Sequence, residues 1–431
     1  MDLLWAVACC AGGVGLGVLT GLAPGLHVNN VAAVLLALAP QLAAWGLELL
    51  GIALLIGGDA MVHTFLDTIP SILLGVPEEA TALATLPGQR LVMAGRGMEA
   101  IRVCTLGAAS TLVAACAMLP LLALGIGAAY PLLQGNMALI LLGVMVMVVL
   151  TERPRTDGYV TKLERLIPRL RCLLLLAASG AMGGLVLNLG GQMASPWLAD
   201  AGDPLLPLLS GLFGAPQLVA SLLGGARLPP QLDTHWRPPL RDWARGTGLA
   251  AASGALVGFL PGVSSGVATA VVGMALPRRG GREDQDRLWL FSISGVNTAN
   301  TLYALVALYV LGRPRSGAVV AMEELLGGID LPELALLLAA MVGCGAVAYP
   351  LTLGLGRWAL RALARVDYRR FALGVLAFVA LLSLLLCGTL GLGVFAACAT
   401  LGILPQLWGV RRVALMGCLL VPVTAWFAGV R

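Results

Sequence analysis

Charged side chains are scarce in this sequence. They make up 11% of the 431 residues, whereas hydrophobic residues make up 59%. A soluble domain carries about a quarter charged residues, so a water-soluble enzyme and a disordered chain are excluded. The apolar runs are long and unbroken, which excludes the alternating pattern of an outer-membrane barrel. The composition therefore predicts an all-α polytopic membrane protein.

Lysine is almost absent, and the first 89 residues contain neither lysine nor arginine. Without a basic N-terminal region, we expect no cleaved signal peptide. The single lysine, Lys162, is followed by leucine and cannot belong to a P-loop, and no hydrolase or kinase motif is present. We therefore expect a protein that is not an enzyme and has no cofactor. The net charge of +5 is too small to indicate a nucleic-acid partner.

Cysteine occurs nine times, but no paired C-x-x-C motif appears. Cysteines inside apolar runs behave as small hydrophobic residues. The sequence therefore predicts free thiols and no metal site.

The apolar blocks predict about ten to twelve transmembrane helices, some of them broken or re-entrant, because several blocks are too short or too long for one span. Arginine clusters at residues 151–171, 226–245, 278–287 and 357–370 mark cytoplasmic loops. This distribution predicts a multi-pass protein of the cytoplasmic membrane.

A Gly-x-x-Pro-Gly motif occurs twice, at residues 21–25 and 258–262, and small polar residues follow each copy. The first copy has no basic residues near it, whereas arginines flank the second on both sides, so the two copies are predicted to have opposite orientations. Opposite orientation of equivalent elements is typical of the inverted repeats of secondary transporters. We predict a first repeat over 1–225, a cytoplasmic linker over 226–245 and a second repeat over 246–431.

Proline and glycine within an apolar helix leave backbone groups unpaired, and such a break is tolerated where it lines a cavity. Helix N-termini at the break can then face an anion. A packed proline kink is the alternative. The predicted substrate-binding residues are those of the two motifs and the polar groups that follow them: Pro24, Gly25, His27, Asn29, Asn30, Pro261, Gly262, Ser264, Ser265, Asn297, Thr298 and Asn300.

Ionisable groups within an apolar block indicate a functional site. His63 and Asp67 lie four positions apart, on one face of a helix, and Asp59 precedes them. They could form a proton relay or a cation site, or they could lie at the membrane interface and pair with each other. We assign ion coupling, by H⁺ or Na⁺, to His63, Asp67, Thr68 and Thr301.

Arg90 and Arg96 lie in a Pro/Gly-rich segment after the first long apolar stretch. A guanidinium binds carboxylate or phosphate in a forked geometry. We expect these two arginines to neutralise an anionic substrate, with anchoring of the topology as the alternative.

Five stretches resemble the large membrane subunit of the tripartite tricarboxylate transporter family (TctA), in particular its compact archaeal-type branch. They are GLAPGLHVNN at 21–30, DTIPSILLGVPEEATALATLPGQRLVMAGRG at 67–97, GLFGAPQL at 211–218, GFLPGVSSG at 258–266 and GILPQLWGVRRVALMGCLLVP at 402–422. The resemblance implies an ion-coupled carrier with two inverted halves. It also implies a small membrane subunit and an extracytoplasmic binding protein that delivers a carboxylate. The two Pro-Gly motifs would line the substrate site, with Asp67 and Thr68 beside it.

The sequence is shorter than the usual bacterial members, and its first motif reads PGLHVNN where they have a Gly/Thr-rich stretch. The second motif, PGVSSG, also resembles that of polyprenyl-phosphate translocases. We therefore predict a permease that moves an organic anion, a carboxylate, by alternating access. A lipid-phosphate translocase is the alternative, and an uncoupled channel or scaffold is a third possibility.

Overall fold

The computed structural model describes residues 2–23, 26–76, 78, 80–152, 162–193, 204–223, 229–260, 265–276, 281–363, 365 and 367–430. These residues form helices and contain no strand. The helices are α1 (Leu3–Leu22), α2 (Val28–Ala37), α3 (Ala39–Ala44), α4 (Leu49–Leu66), α5 (Thr68–Leu73), α6 (Thr85–Met93), α7 (Gly97–Gly135), α8 (Met137–Leu150), α9 (Lys162–Leu189), α10 (Leu205–Leu209), α11 (Ala215–Leu223), α12 (Leu240–Phe259), α13 (Ser265–Ala275), α14 (Arg282–Leu311), α15 (Gly317–Leu326), α16 (Leu331–Leu363), α17 (Tyr368–Trp408) and α18 (Gly417–Phe427).

Seven helical segments among the described residues are long and apolar enough to cross a membrane, and five shorter apolar helices accompany them. The long ones are α1, α4 continued by α5, α7, α9, α14, α16 and α17. α17 is interrupted at Gly388, whose φ of 67° and ψ of −168° are not helical. The prediction of an all-α polytopic membrane protein is confirmed.

Each Gly-x-x-Pro-Gly motif begins at the end of one helix, and another helix begins after it. α1 ends before the first motif proline and α2 begins after it, and α12 and α13 flank the second motif in the same way. Ala23 and Leu260, which directly follow α1 and α12, have the same extended backbone, with φ of −96° at both and ψ of 101° and 128°. Five of the predicted residues lie outside the described residues: Pro24, Gly25, Pro261, Gly262 and Ser264.

α1 and α4 lie side by side and run in the same direction. A Cβ atom at Gly17 would lie 2.6 Å from the Cβ of Val62, and one at Gly21 would lie 2.7 Å from the Cβ of Leu66. The contacting residues are 45 positions apart in both cases. Glycine is required here because the two backbones approach too closely for a side chain.

α12 and α14 pack with the same register. A Cβ atom at Gly254 would lie 2.5 Å from the Cβ of Ala299, and one at Gly258 would lie 2.6 Å from the Cβ of Tyr303. These partners are also 45 positions apart, and each lies 237 positions after its counterpart in the first pair. The two helix pairs are therefore built alike.

The two pairs run in opposite directions. α16 runs parallel to α4, because Gly57 contacts Met341 and Met61 contacts Gly345. α7 runs parallel to α14, with Glu99 paired to Arg287 near the start of both helices and Tyr130 bonded to Arg315 near their ends. α7 and α16 are antiparallel, since residue 345 contacts residue 112 and residue 356 contacts residue 101.

We expect Gly17→Ala to lower the melting temperature of the protein in detergent, because the added Cβ would press on Val62 and on the carbonyl oxygen of Asp59, 2.9 Å away. Overpacking of this kind costs about 1–3 kcal/mol. Gly15→Ala is the matched control on the same helix, since a Cβ there meets nothing within 4 Å. It is expected to leave the melting temperature unchanged or to raise it. Equal melting temperatures for the two variants would contradict the close packing.

Candidate functional site

The chain is interrupted between α1 and α2 and again between α12 and α13, and these two places are called the first and the second helix break. A cavity of about 540 Å³ is lined by residues next to both breaks. α2, α4, α13, α14 and the start of α15 contribute to its wall, together with the chain that follows α5. Its polar and ionisable lining residues are His27, Asn29, His63, Thr64, Glu78, Ser265, Asn297, Asn300, Thr301, Arg315 and Ser316.

Seven of the residues predicted from the sequence line this cavity. Five of them were predicted to bind substrate: His27, Asn29, Ser265, Asn297 and Asn300. The other two, His63 and Thr301, were predicted to couple an ion. Asn30 points away and is exposed. Thr298 is buried behind the wall, where its hydroxyl lies 3.3 Å from that of Thr64. Asp67 and Thr68 are also buried and do not line the cavity.

The first break is held by two hydrogen bonds. His27 caps the N-terminus of α2, because its Nδ1 accepts a hydrogen bond of 3.1 Å from the backbone N–H of Asn29. The Oδ1 of Asn29 in turn accepts a bond of 3.1 Å from the backbone N–H of Ala318, in the first turn of α15. The residues just after the motif therefore connect α2 to the second half of the chain.

The second break is connected to α14 and, through it, to α4. The Nδ2 of Asn300 donates to the hydroxyl oxygen of Ser265, the first residue of α13, at 3.3 Å. One turn earlier, the Nδ2 of Asn297 donates to the Oδ2 of Asp67 at 3.1 Å. Two asparagines one turn apart on α14 thus bond to the second break and to a buried carboxylate.

His63, Asp67 and Glu78 form an ionisable cluster in which one ligand atom of each lies within 4.8 Å of the others. The Nε2 of His63 is 2.9 Å from the Oε2 of Glu78, and its buried Nδ1 has no partner among the described residues. The Nε2 of His27 is 3.9 Å from the same carboxylate. Imidazole and carboxylates are ligand types for metal ions, so this group could hold a cation. The sequence indicated His63 and Asp67 as a possible cation site but did not indicate Glu78.

Glu78 lies between α5 and α6 and carries the negative charge that faces the cavity. Burial alone would raise the pKa of this carboxyl. The charge of His63 and its hydrogen bond, together with His27, instead hold the pKa of Glu78 below its ordinary value. Glu78 is therefore a carboxylate at neutral pH.

Asp59, one turn before His63, is completely buried between α4 and α1. The hydroxyl of Thr20 donates to its Oδ1 at 2.7 Å, and its Oδ2 has no partner among the described residues. A buried carboxyl that is only half satisfied is costly to the fold, which favours a functional explanation.

Arg315 brings a positive charge to the cavity from the chain between α14 and α15. Its Nη2 donates to the hydroxyl of Tyr130 at 2.6 Å, and its guanidinium carbon lies 5.2 Å from the centre of that ring. No carboxylate among the described residues pairs with it, and its buried Nε has no partner there. An anion in the cavity would meet this unneutralised guanidinium.

The family model described as "Tripartite tricarboxylate transporter TctA family" matches residues 7–417, nearly the whole chain. The chain belongs to the TctA family. An uncharacterized protein of the archaeon Methanocaldococcus jannaschii is 24% identical over 374 residues, which cover 86% of this chain and 84% of that protein. This distant relative agrees with the archaeal-type branch. No solved structure matches. Membership of the TctA family makes this protein a membrane transporter.

The structure places Arg90 and Arg96 away from the cavity of this TctA protein. The Nε of Arg90 donates to the Oδ2 of Asp286 at 2.7 Å, and Arg96 pairs with Glu283 at 2.6 Å. Both acids lie in the first turns of α14. Carboxylates thus already pair with both arginines, and neither lines the cavity, whereas Arg315 does. That Arg90 and Arg96 neutralise an anionic substrate stays a prediction.

Sequence reasoning missed Glu78 and Arg315. Glu78 lies within one of the stretches that resemble the TctA family, so the resemblance carried a usable signal. Arg315 had no comparable signal, because it follows a long apolar helix, where an arginine is typical of a solvated loop. Only the position of α15 against α2 reveals that it faces the cavity.

Asn29→Ala should lower the melting temperature in detergent, because it leaves the backbone N–H of Ala318 without its partner. A lost hydrogen bond of this kind costs about 1–3 kcal/mol. Asn30→Ala is the matched control, since the neighbouring amide is exposed. If both variants melt at the temperature of the unmodified protein, Asn29 does not connect α2 to α15.

Proposed function

We propose that this TctA-family protein is an ion-coupled secondary transporter that moves an organic anion, a carboxylate, across the cytoplasmic membrane by alternating access. One observation carries the proposal: the cavity is bordered by both helix breaks and contains an unneutralised guanidinium. Helix ends are tolerated within a membrane where they line a water-filled cavity. Their amide groups then favour an anion.

The register of the helix pairs supports two inverted halves, as proposed for residues 1–225 and 246–431. With the constant separation of 237 positions, His63 corresponds to Asn300 and Glu78 corresponds to Arg315. All four residues line the cavity. The polar wall is thus supplied by equivalent positions of two oppositely directed units, the arrangement that alternating access requires.

The substrate would be bound by Arg315 and by the side-chain amides of Asn29, Asn297 and Asn300. A guanidinium and amide N–H groups are suited to carboxylate oxygens. α2 and α13 also begin at the cavity, so the partial positive charge of their N-termini adds to the attraction. A second carboxylate of the same substrate would encounter these N-termini.

The coupling ion would be bound beside the substrate, at His63, Asp67 and Glu78. Asp67 accepts a hydrogen bond from Asn297, which itself lines the substrate cavity. Entry of H⁺ or Na⁺ at this cluster would change the charge next to the anion. Coupling then follows from the attraction between the two neighbouring charges, which is stronger beside protein than in bulk water.

The family resemblance further supports two partners, a small membrane subunit and an extracytoplasmic binding protein that delivers the anion. Co-purification of this chain with products of neighbouring genes tests this part of the proposal. Uptake by the purified chain alone, at the rate seen in cells, would show that neither partner is needed.

Arg315→Gln should raise the KM for citrate uptake into proteoliposomes by at least about tenfold, since it removes a charge-assisted contact with the anion. Arg313→Gln is the matched control, because Arg313 is exposed, lies two positions earlier and does not line the cavity. Equal KM values for the two variants would remove Arg315 from the substrate site.

Asp67→Asn should abolish uptake driven by an ion gradient while the protein still folds. The amide can still bond to Asn297, but it cannot exchange a proton or neutralise Na⁺. Asp330→Asn, at an exposed helix N-cap where asparagine is equally suitable, is the control. Gradient-driven uptake at the unmodified rate would exclude Asp67 from coupling.

A binding screen of citrate and succinate against a short-chain polyprenyl phosphate separates the proposal from its main alternative. We expect the carboxylates to bind and Arg315→Gln to weaken their binding. Binding of the lipid phosphate alone would replace the proposed substrate class.

A further inference from the structure

A second cavity, of about 590 Å³, shares no lining residue with the first. The chain between α5 and α7 separates the two. Glu78 and Ala80 line the first cavity, whereas Leu83, Leu86 and Arg90 line the second. The second cavity is therefore a distinct site at the end of the molecule where α14 begins.

Arg412 lies in its wall and is only 8% exposed. Its Nη1 donates to the backbone oxygen of Phe213 at 3.1 Å, and its Nη2 donates to the Oε1 of Gln217 at 3.2 Å. Its Nε is buried and has no partner, and no carboxylate among the described residues pairs with it. A buried charge without a counter-ion is strongly unfavourable, so an anion beside Arg412 would be stabilising.

The charge on Arg412 persists at neutral pH. Burial, and to a lesser extent the positive charge of Arg90, lower the pKa of its guanidinium to about 10. This value is still well above neutrality. The guanidinium is therefore charged at neutral pH, and an anion bound beside it would be favoured.

The other charges of the cavity do not supply this anion. Arg282, Arg90 and Arg411 also line it. Asp286 pairs with Arg90, and Glu152 pairs with Arg411, at 2.7 Å from its Nε. Both acids are thus already used by other arginines, and the excess of positive charge remains at Arg412 and Arg282.

Trp289 provides a second unsatisfied donor. Its indole Nε1 is buried without a partner among the described residues, and the residue lines the same cavity. The rest of the wall is largely apolar and includes Phe213, Met274 and Leu288. The wall of the cavity thus contains two residues with an unpaired N–H donor and a surplus positive charge beside an apolar surface.

We propose that this second cavity binds an amphipathic oxyanion: a carboxylate or phosphate group held by Arg412 and Trp289, with an apolar body against the neighbouring wall. This site goes beyond the proposed function, because it lies apart from the transport cavity and its occupancy can be measured without transport. The same chemistry is present in a free organic anion and in the head group of an anionic lipid.

The test uses the full chain purified in a neutral detergent, with octyl phosphate as the probe and octyl glucoside as its uncharged counterpart. Octyl phosphate should raise the melting temperature in a saturable manner, because a ligand of the native state stabilises it. Octyl glucoside should not raise it. Arg412→Gln should weaken octyl phosphate binding by about tenfold or more. The matched control is Arg96→Gln, because Arg96 pairs with Glu283 and does not line the cavity. This variant should bind octyl phosphate as the unmodified protein does.

If Arg412→Gln does not fold, Trp289→Phe and Arg282→Gln serve as milder variants. Trp289→Phe keeps an aromatic ring but removes the indole N–H, and Arg282→Gln changes an exposed side chain. Each should weaken octyl phosphate binding. Equal binding to the unmodified protein and to all folded cavity variants would overturn the proposal. An equal shift with octyl glucoside would also overturn it.

Nanodiscs distinguish the two sources of the anion. Octyl phosphate binding is compared in nanodiscs of phosphatidylglycerol and of phosphatidylcholine. If phosphatidylglycerol competes with octyl phosphate in the unmodified protein but not in Trp289→Phe, the occupant is a membrane lipid. If octyl phosphate binds equally in both lipids, the occupant is a free anion. Because these readouts measure binding only, they do not depend on whether carboxylate uptake through the first cavity is found.

Discussion

Backbone groups at the ends of helices have no water to bind within a bilayer, and this constraint determines where the site must lie. α1 and α12 both end in an extended residue, Ala23 and Leu260, next to a proline-glycine pair. α2 and α13 then begin with amides that no earlier turn can satisfy. The cavity, the cap from His27 and the polar side chains of α14 are the surroundings that make these breaks tolerable.

The close approach of α1 to α4 and of α12 to α14 fixes these polar groups in place. Hydrophobic burial gives little preference for one helix register within lipid, so small residues and direct backbone contact must set it. The glycines at positions 17, 21, 254 and 258 allow this close approach in the observed register, with partners 45 positions apart. A shift of one position would turn His63 and Asn300 away from the breaks. The precision of the site therefore depends on residues that bind nothing.

The repeated motif was visible in the sequence because it is short and strict, and residues that follow both copies line the cavity. The sequence placed the following clusters less well. The helix register aligns His63 with Asn300 rather than with Asn297, three positions earlier in the same polar cluster. Similar asparagines one turn apart cannot be distinguished without the partner helix. Arg90 and Arg315 show the same limit. A guanidinium that already pairs with a carboxylate is less available to a substrate, and the sequence does not reveal this pairing for Arg90 because Asp286 is 196 positions away.

Glu78 and Arg315 lie 237 positions apart, the separation of the two helix pairs, and bring opposite charges to one cavity. Under the proposed function, this pair explains why a cation and an anion would travel together. An anion beside Arg315 cancels the positive charge, which leaves the carboxylates near His63 uncompensated and strengthens the binding of a cation there. By thermodynamic linkage, the cation strengthens anion binding by the same factor. A cavity that closes only when nearly neutral would then move both charges or neither.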